Sequence, residues 1–379
     1  MKYNTNQYRP NRSILFYRGL LCSVLFLALS LQLNAAPRKD VSAPQPSETV
    51  SGTRSFTDSS GRTLEIPGKI TKISPSGSLA QMFLLAIAPD LICTVSSAYS
   101  PDQAEFVPDY LMNLPVVGQF YGSRDLNPEE IARIGPDLVI DIGEPKDSIA
   151  QDMDAITQSI AIPAIHITAT LRSTPQAFRT LGQLLDREEQ GEKLALFCEK
   201  ALSRVDDIVA KAGNNKKELL YCLGPRGINV LAAGSFHTEV LDWIANNKAV
   251  VDNPSSRGSG NETNLEQILL WDPELIIFGP DSVYSSVAAD PTWKQLRAIR
   301  TGAYYEVPQG PYNWMGTPPS INRYIGMLWL GKILYPQYAQ YDLYTETAEY
   351  YRLFYGRELS RERYERLTAN SISAGGPGK

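Results

Sequence analysis

Histidine is nearly missing from this 379-residue chain, which holds only His166 and His237. A bare zinc or manganese site draws on several histidines or a compact carboxylate set, so no resident transition-metal centre is expected. The same shortage removes the usual base of a Ser-His-Asp triad, because His166 falls in an apolar strand pattern and His237 in a loop. There is no Gly-x-Ser-x-Gly elbow and no Gly-x-Gly-x-x-Gly turn. Gly326-Met-Leu-Trp-Leu-Gly-Lys-Ile333 comes close to a phosphate loop. It lacks the final Ser/Thr and continues a helical pattern, so it reads as a packing helix. An enzyme, such as a secreted hydrolase, is therefore the minor reading.

Acids are absent from the first 35 residues, while Lys2, Arg9, Arg12 and Arg18 are present. Gly19 to Leu33 follows as an apolar stretch, shorter than the ~20 residues a spanning helix needs. Leu33-Asn34-Ala35-Ala36 supplies small residues for cleavage. Residues 1–35 thus read as a secretory signal peptide, with an uncleaved anchor as the alternative. Leu20 and Leu21 before Cys22 make a poor lipid-attachment site. No later stretch is long and apolar enough to span a membrane. Cleavage takes four basic residues and no acid, moving the formal charge of −5 further negative. An acidic chain without a basic run excludes nucleic acid as a partner. Cys93, Cys198 and Cys222 remain; three thiols allow one disulfide at most, and their apolar surroundings suit buried free thiols.

One segment occurs twice. Asn127-Pro-Glu-Glu-Ile-Ala-Arg-Ile-Gly-Pro-Asp-Leu-Val-Ile140 returns as Asn264-Leu-Glu-Gln-Ile-Leu-Leu-Trp-Asp-Pro-Glu-Leu-Ile-Ile277. In each copy an asparagine caps a short helix whose first turn carries a carboxylate, where the helix dipole favours it. A proline stops the helix and a buried strand follows. Periods of solenoid repeats run about 20–50 residues, far shorter than this separation. Two similar α/β lobes, with a cleft, are expected.

Residues 36–53 read as a flexible leader and 369–379 as a disordered tail. Between them, strand patterns at 70–74, 91–95, 115–117, 138–142 and 164–168 make a first set. Those at 219–223, 228–232, 249–251, 275–278 and 305–307 make a second. Strands alternating with helices predict parallel sheets covered on both faces. The resulting division is a lobe over 54–172, a helical segment over 173–213 and a lobe over 214–368. Within the middle segment, 187–212 is amphipathic and about 39 Å long at 1.5 Å per residue, enough to join the lobes.

This organisation resembles the substrate-binding proteins of ABC importers for iron-siderophores, haem and cobalamin. The resemblance is carried by Arg54 to Arg62, Ile73 to Ala80, Asp290 to Leu296, Ala303 to Pro308 and Trp314 to Ser320, and it covers roughly residues 55–356. It implies an α/β fold of two Rossmann-like lobes with mainly parallel sheets, joined by one long rigid helix. It also implies a monomer that captures a metal chelate and docks on an ABC permease dimer in the inner membrane through one glutamate per lobe. The matching positions are Glu129 and Glu266, the third residue of each repeat. One carboxylate per lobe lets two fixed basic pockets sense closure of the cleft; the bland alternative is that each merely favours its helix start.

Ligands of α/β lobes sit beyond the carboxyl ends of the strands. The loops there offer Ser76, Ser78, Tyr99, Tyr121 and Arg124 from the first lobe, and His237, Arg257, Tyr312 and Trp314 from the second. Aromatic faces and arginine suit an anionic metal chelate or a tetrapyrrole. Arg226 beside Gly227 reads as a turn residue and His166 as a hydrogen-bonded core residue. A ferric siderophore leads as cargo, followed by haem, cobalamin and a nickel or cobalt chelate. A scavenging or sensory module without a transporter would share the cleft but not need both glutamates.

Overall fold

The computed structural model describes residues 52–120 and 126–372. It opens with a hairpin, β1 (Thr53–Thr57) antiparallel to β2 (Thr63–Pro67). Asp58 closes the turn, accepting from the backbone N–H of Ser60 at 2.9 Å and pairing with Arg62 at 2.7 Å. Burial works to raise the Asp58 carboxyl, but hydrogen bonds from Ser60, Arg62 and the His166 N–H outweigh it and hold it below the usual range. A depressed carboxylate stabilises the fold above its unfolded value, and that stability is lost as pH falls through the folded value. Asp58→Ala is expected to cost about 3 kcal/mol at neutral pH, because it removes the buried acceptor shared by Ser60, Arg62 and the His166 N–H and leaves Arg62 with one exposed carboxylate, Asp154, and the Ala164 carbonyl. Urea melts at pH 7 and pH 3 check this, the deficit shrinking at the lower pH.

In the first lobe β3 (Ile73–Pro75), β4 (Leu138–Gly143) and β5 (Ala164–Thr168) form a parallel sheet in that order. α1 (Ser78–Ile87), the short α2 (Pro101–Ala104), α3 (Pro128–Ile134) and α4 (Ile149–Ile160) connect them. The strands expected at 91–95 and 115–117 are present only as single bridges, Ile73 to Ile92 and Val95 to Val116. Both stretches are extended, but too short to build a ladder. They still set the topology. From β3 the chain runs outward on one side, then returns to β4 and β5 on the other, which makes the carboxyl end of β3 a switch point.

The middle segment is two helices. α5 (Thr174–Leu184) and α6 (Glu188–Ala212) are split where Asp186 takes a positive φ of 55°. They pack closely because Gly191 lacks a side chain: a Cβ there would stand 2.6 Å from the Phe178 carbonyl oxygen. α6 has 25 residues, about 38 Å, ending at Gly213.

In the second lobe β6 (Glu218–Leu223) is central. β7 (Asn229–Val230), α7 (Glu239–Ile244), β8 (Asn246–Asn247), β9 (Asn261–Glu262), α8 (Leu265–Trp271), β10 (Leu275–Phe278), α9 (Arg297–Thr301) and β11 (Tyr304–Glu306) follow. The strand order is β11-β10-β6-β7-β9, with β8 parallel to the start of β6. No strand forms at 249–251; Asn247 Oδ1 accepts the Ala249 N–H, and Val250 is 71% exposed. α10 (Arg323–Leu334), α11 (Leu343–Tyr355) and α12 (Arg361–Leu367) finish the chain.

α10 contains the stretch that came near a phosphate loop, and it is a buried packing helix as expected. Of the expected tail, residues 369–372 are described and pack against the second lobe, and the rest lies outside the described residues. Asn370 O accepts the Glu306 N–H at 3.0 Å and Ser371 O accepts from Trp329 Nε1 at 2.8 Å.

One apolar core runs through both lobes, taking in α1, α5, α6, α10 and α11, with a smaller cluster on the outer face of each sheet. Leu194, Phe197, Cys198, Leu202, Val205 and Ile208 of α6 belong to the shared core. The connecting helix is thus embedded, and the lobes cannot separate without opening that core. Cys93, Cys198 and Cys222 are free thiols. Among the described residues no helix is long and apolar enough to cross a membrane.

Candidate ligand-binding cleft

The cleft forms where β3 ends. Ser76 and Gly77 lead into α1, which has no side-chain cap on its first turn. The backbone N–H groups of that turn carry the positive end of the helix dipole and lack a side-chain acceptor. A cavity of about 420 Å³ opens against it. The first lobe lines it with Ser76 to Ala80, Gln119, Asp141 to Glu144 and Lys146, the second with Phe236, His237, Ser256, Gly258 and Thr317 to Pro319. A hollow of about 240 Å³ adjoins, sharing Ser78, Thr317 and Pro318 and adding Gln81, Tyr99, Gln103, Tyr312 and Asn313. A further depression of about 450 Å³ lies beyond, between Ser100 to Phe106 and α12, away from the switch point.

Five of the expected residues therefore meet at the cleft: Ser76, Ser78 and His237 in the main cavity, Tyr99 and Tyr312 in the annex. Burial pushes the Tyr99 phenol up to about 12 and the Tyr312 phenol well above its usual value. Both are neutral at physiological pH and present hydroxyls rather than phenolates. The ring nitrogens of His237 face the carbonyl oxygens of Gly316 at 2.9 Å and Ser256 at 3.2 Å. Neither nitrogen is turned to the cavity, and the ring instead ties together three cleft loops.

Trp314 is not in the cleft. It is 1% exposed and belongs to the shared core, its carbonyl fitting against Gly326 of α10. Arg257 is exposed and does not line the cavity, although Ser256 and Gly258 on either side do. Tyr121 and Arg124 lie outside the described residues. Arg226 pairs with Glu262 at the surface.

The reading from sequence missed Asp141, Lys146, Gln119 and Thr317. Asp141 did leave a signal. It is the one charge in the run Leu138-Val-Ile-Asp-Ile-Gly143, near the carboxyl end of a strand with almost every residue buried. Its carboxylate accepts from Ser76 Oγ on one oxygen and faces His166 Nδ1 at 2.7 Å on the other. His166 is the hydrogen-bonded core residue that was expected. The order Ser76, Asp141, His166 places the carboxylate between hydroxyl and imidazole. The imidazole thus cannot take the hydroxyl proton, as the base of a triad must. Among the described residues no group of three or more His, Cys, Asp or Glu could hold a metal ion.

The repeats are built alike. Asn127 Oδ1 accepts from the Glu130 N–H at 3.0 Å, and Asn264 Oδ1 from the Gln267 N–H at 2.8 Å. Each caps a seven-residue helix, α3 and α8, that leads into a buried strand. Glu129 and Glu266 are exposed in the two first turns. Arg133, on the same helix as the first, is held by Glu130 at 2.6 Å.

Two α/β lobes on an embedded helix, holding a polar cleft, define a bilobed solute receptor. The chain belongs to the periplasmic binding protein family, whose sequence model matches residues 78–311. Members of that family are periplasmic, work with ABC permeases and are not enzymes. An ABC transporter solute-binding protein from Sulfurospirillum deleyianum is similar at 29% identity and a TM-score of 0.76, over 83% of this chain and 99% of its own. The molybdate-bound MolA of Haemophilus influenzae is similar at 18% identity and 0.63, over 81% and 99%. CeuE of Helicobacter pylori, in a complex titled Ni-His, is similar at 15% and 0.59, over 83% and 98%. None of the curated proteins matches the sequence.

Proposed function

We propose that the protein is exported by the signal peptide at residues 1–35, works in the periplasm as a monomer, and hands a metal chelate to an ABC permease through Glu129 and Glu266. The observation that carries this reading is the cleft at the switch point. An uncapped helix start and Ser78 stand ready for anionic oxygens, two phenols line the annex, and among the described residues no metal-ligand cluster is at hand. Such a site suits a metal whose donors come with it. Cavity and annex together suit a compact chelate, or the metal-bearing part of a ferric siderophore, held in a largely preformed pocket. Haem and cobalamin are the bulkier alternatives. The fold neighbours solved with molybdate and with nickel and histidine keep a simple oxyanion and an amino-acid chelate in the comparison.

Calorimetric titration of the mature protein tests the reading. The probes are a ferric tris-catecholate, nickel(II) with two equivalents of histidine, haemin, cobalamin, molybdate and free nickel(II). Sub-micromolar binding of one chelate, with free nickel(II) and molybdate inert, is expected. Tight binding of molybdate or of the free metal alone would sink it. Calorimetry is preferable to tryptophan quenching, since Trp314 is sealed in the core.

A further inference from the structure

Asp141 is a buried carboxylate with hydrogen-bonding capacity left over for the cleft. It is 7% exposed, yet it lines the main cavity. Its hydrogen bonds are those to Ser76 Oγ and His166 Nδ1. His166 Nε2 lies 3.2 Å from the Thr168 hydroxyl. With Nδ1–H donating to Asp141, the Thr168 hydroxyl meets Nε2, so both ring nitrogens are engaged within the lobe. Arg62, on the hairpin beside this sheet, is spent on Asp58, Asp154 and the Ala164 carbonyl. Lys146 lines the cavity, its ammonium 3.8 Å from Glu144. An ionised carboxylate offers about four lone-pair sites, and hydrogen bonds within the lobe use two. Buried charge is costly unless compensated, and here the open side is the cleft.

We propose that Asp141 recognises a positively charged or N–H-donating group on the cargo. The cargo is then zwitterionic: anionic oxygens meet the start of α1, and an ammonium or imidazole N–H meets Asp141 on the adjoining strand. A metal complex of an amino-acid-type chelator has that charge pattern; a wholly anionic complex is repelled by the carboxylate. This inference rests on the metal-chelate reading above and names the class of chelate.

Asp141→Asn tests it in the mature protein. Asparagine keeps the shape, and a switch of the His166 tautomer with a turn of the Thr168 hydroxyl preserves every hydrogen bond. Only the charge is lost. The unliganded variant is expected to melt at a higher temperature than the wild type, as sites that hold a charge for a ligand do when it is removed. Calorimetry is expected to show affinity for nickel(II)-histidine reduced at least about tenfold, and affinity for molybdate increased. Ser76→Ala, which keeps the charge, should retain the preference for the chelate. A lower melting temperature in Asp141→Asn, or failure to fold, would mean that the carboxylate serves the fold and would overturn the proposal. So would undiminished chelate affinity in that variant, loss of the preference in Ser76→Ala, or a wild type indifferent to nickel(II)-histidine. A wild type that takes molybdate alone refutes the metal-chelate reading instead, and the melting comparison then still decides what Asp141 does.

Discussion

Replacing Glu129 and Glu266 together by alanine is expected to abolish permease-dependent uptake while leaving cargo affinity unchanged. Both are exposed in the first turn of a short capped helix, and the hydrogen bonds and ion pairs of α3 and α8 fall on their neighbours. A structural role would show as a partner, whereas a dipole effect at an exposed helix start is small and screened by salt. Charges held free on two rigid lobes serve long-range steering and final docking, since complementary charge raises the association rate and fixes register. Each single variant should lower uptake about tenfold or more, the double variant to background, with wild-type uptake falling as ionic strength rises. Uptake of a radiolabelled metal chelate by permease-bearing proteoliposomes, set beside calorimetry, separates docking from capture. Unaltered uptake by the double variant would leave the scavenging or sensory reading standing.

The architecture was legible because its signals are local. The asparagine cap, the acidic first turn, the stopping proline and the β-branched run recur within fourteen residues in each repeat. Each step is fixed by neighbours in sequence. β5 and β10 came out at the residues expected, because uninterrupted apolar runs bounded by turns have one reading. The embedded helix α6 announced itself by its periodicity and differed by one residue at its start. The expected strands at 91–95, 115–117 and 249–251 carry the same apolar composition. Ladder formation depends on partners far away in sequence, and 91–95 and 115–117 find only single bridges there.

The site was legible in part. Serines after β3 could be placed by the rule that ligands gather beyond strand ends, and His237 by its loop. Which way a side chain turns was not legible. Tyr312 and Trp314 are two residues apart in one loop, and the first lines the annex while the second enters the core. Nothing in Tyr312-Asn-Trp-Met-Gly316 states this; the loop is set by contacts distant in sequence, such as the Trp314 carbonyl against Gly326 a dozen residues on. Asp141 was overlooked because its strand was read for apolar pattern alone. A charge inside such a run belongs either to a sealed pair or to a site.

Gly326 carries the other large expected effect. Within α10 an alanine normally stabilises by up to about 1 kcal/mol over glycine, because it restricts the unfolded chain and shields the backbone. At Gly326 the sign should reverse. A Cβ there would run into the carbonyl oxygen and carbon of Trp314, which are backbone atoms that no rotamer change can move aside. Overpacking against backbone makes a loss of about 3 kcal/mol the expected cost of Gly326→Ala. Gly331, one and a half turns further on, is the internal control. A Cβ there would lie 3.1 Å from the tip of Ile208 and the hydroxyl of Tyr341, side-chain atoms that can yield, so Gly331→Ala should stay within about 1 kcal/mol of wild type. Urea melts of the two variants give the comparison, and equal effects would refute the packing argument. The consequence reaches the cleft, because Trp314 anchors the loop that carries Tyr312, Thr317 and Pro318 to its wall. Gly326→Ala should therefore weaken cargo binding as well as the fold. Stability and capture meet at one glycine, since the core that fixes the lobes also seats the loop that faces the ligand.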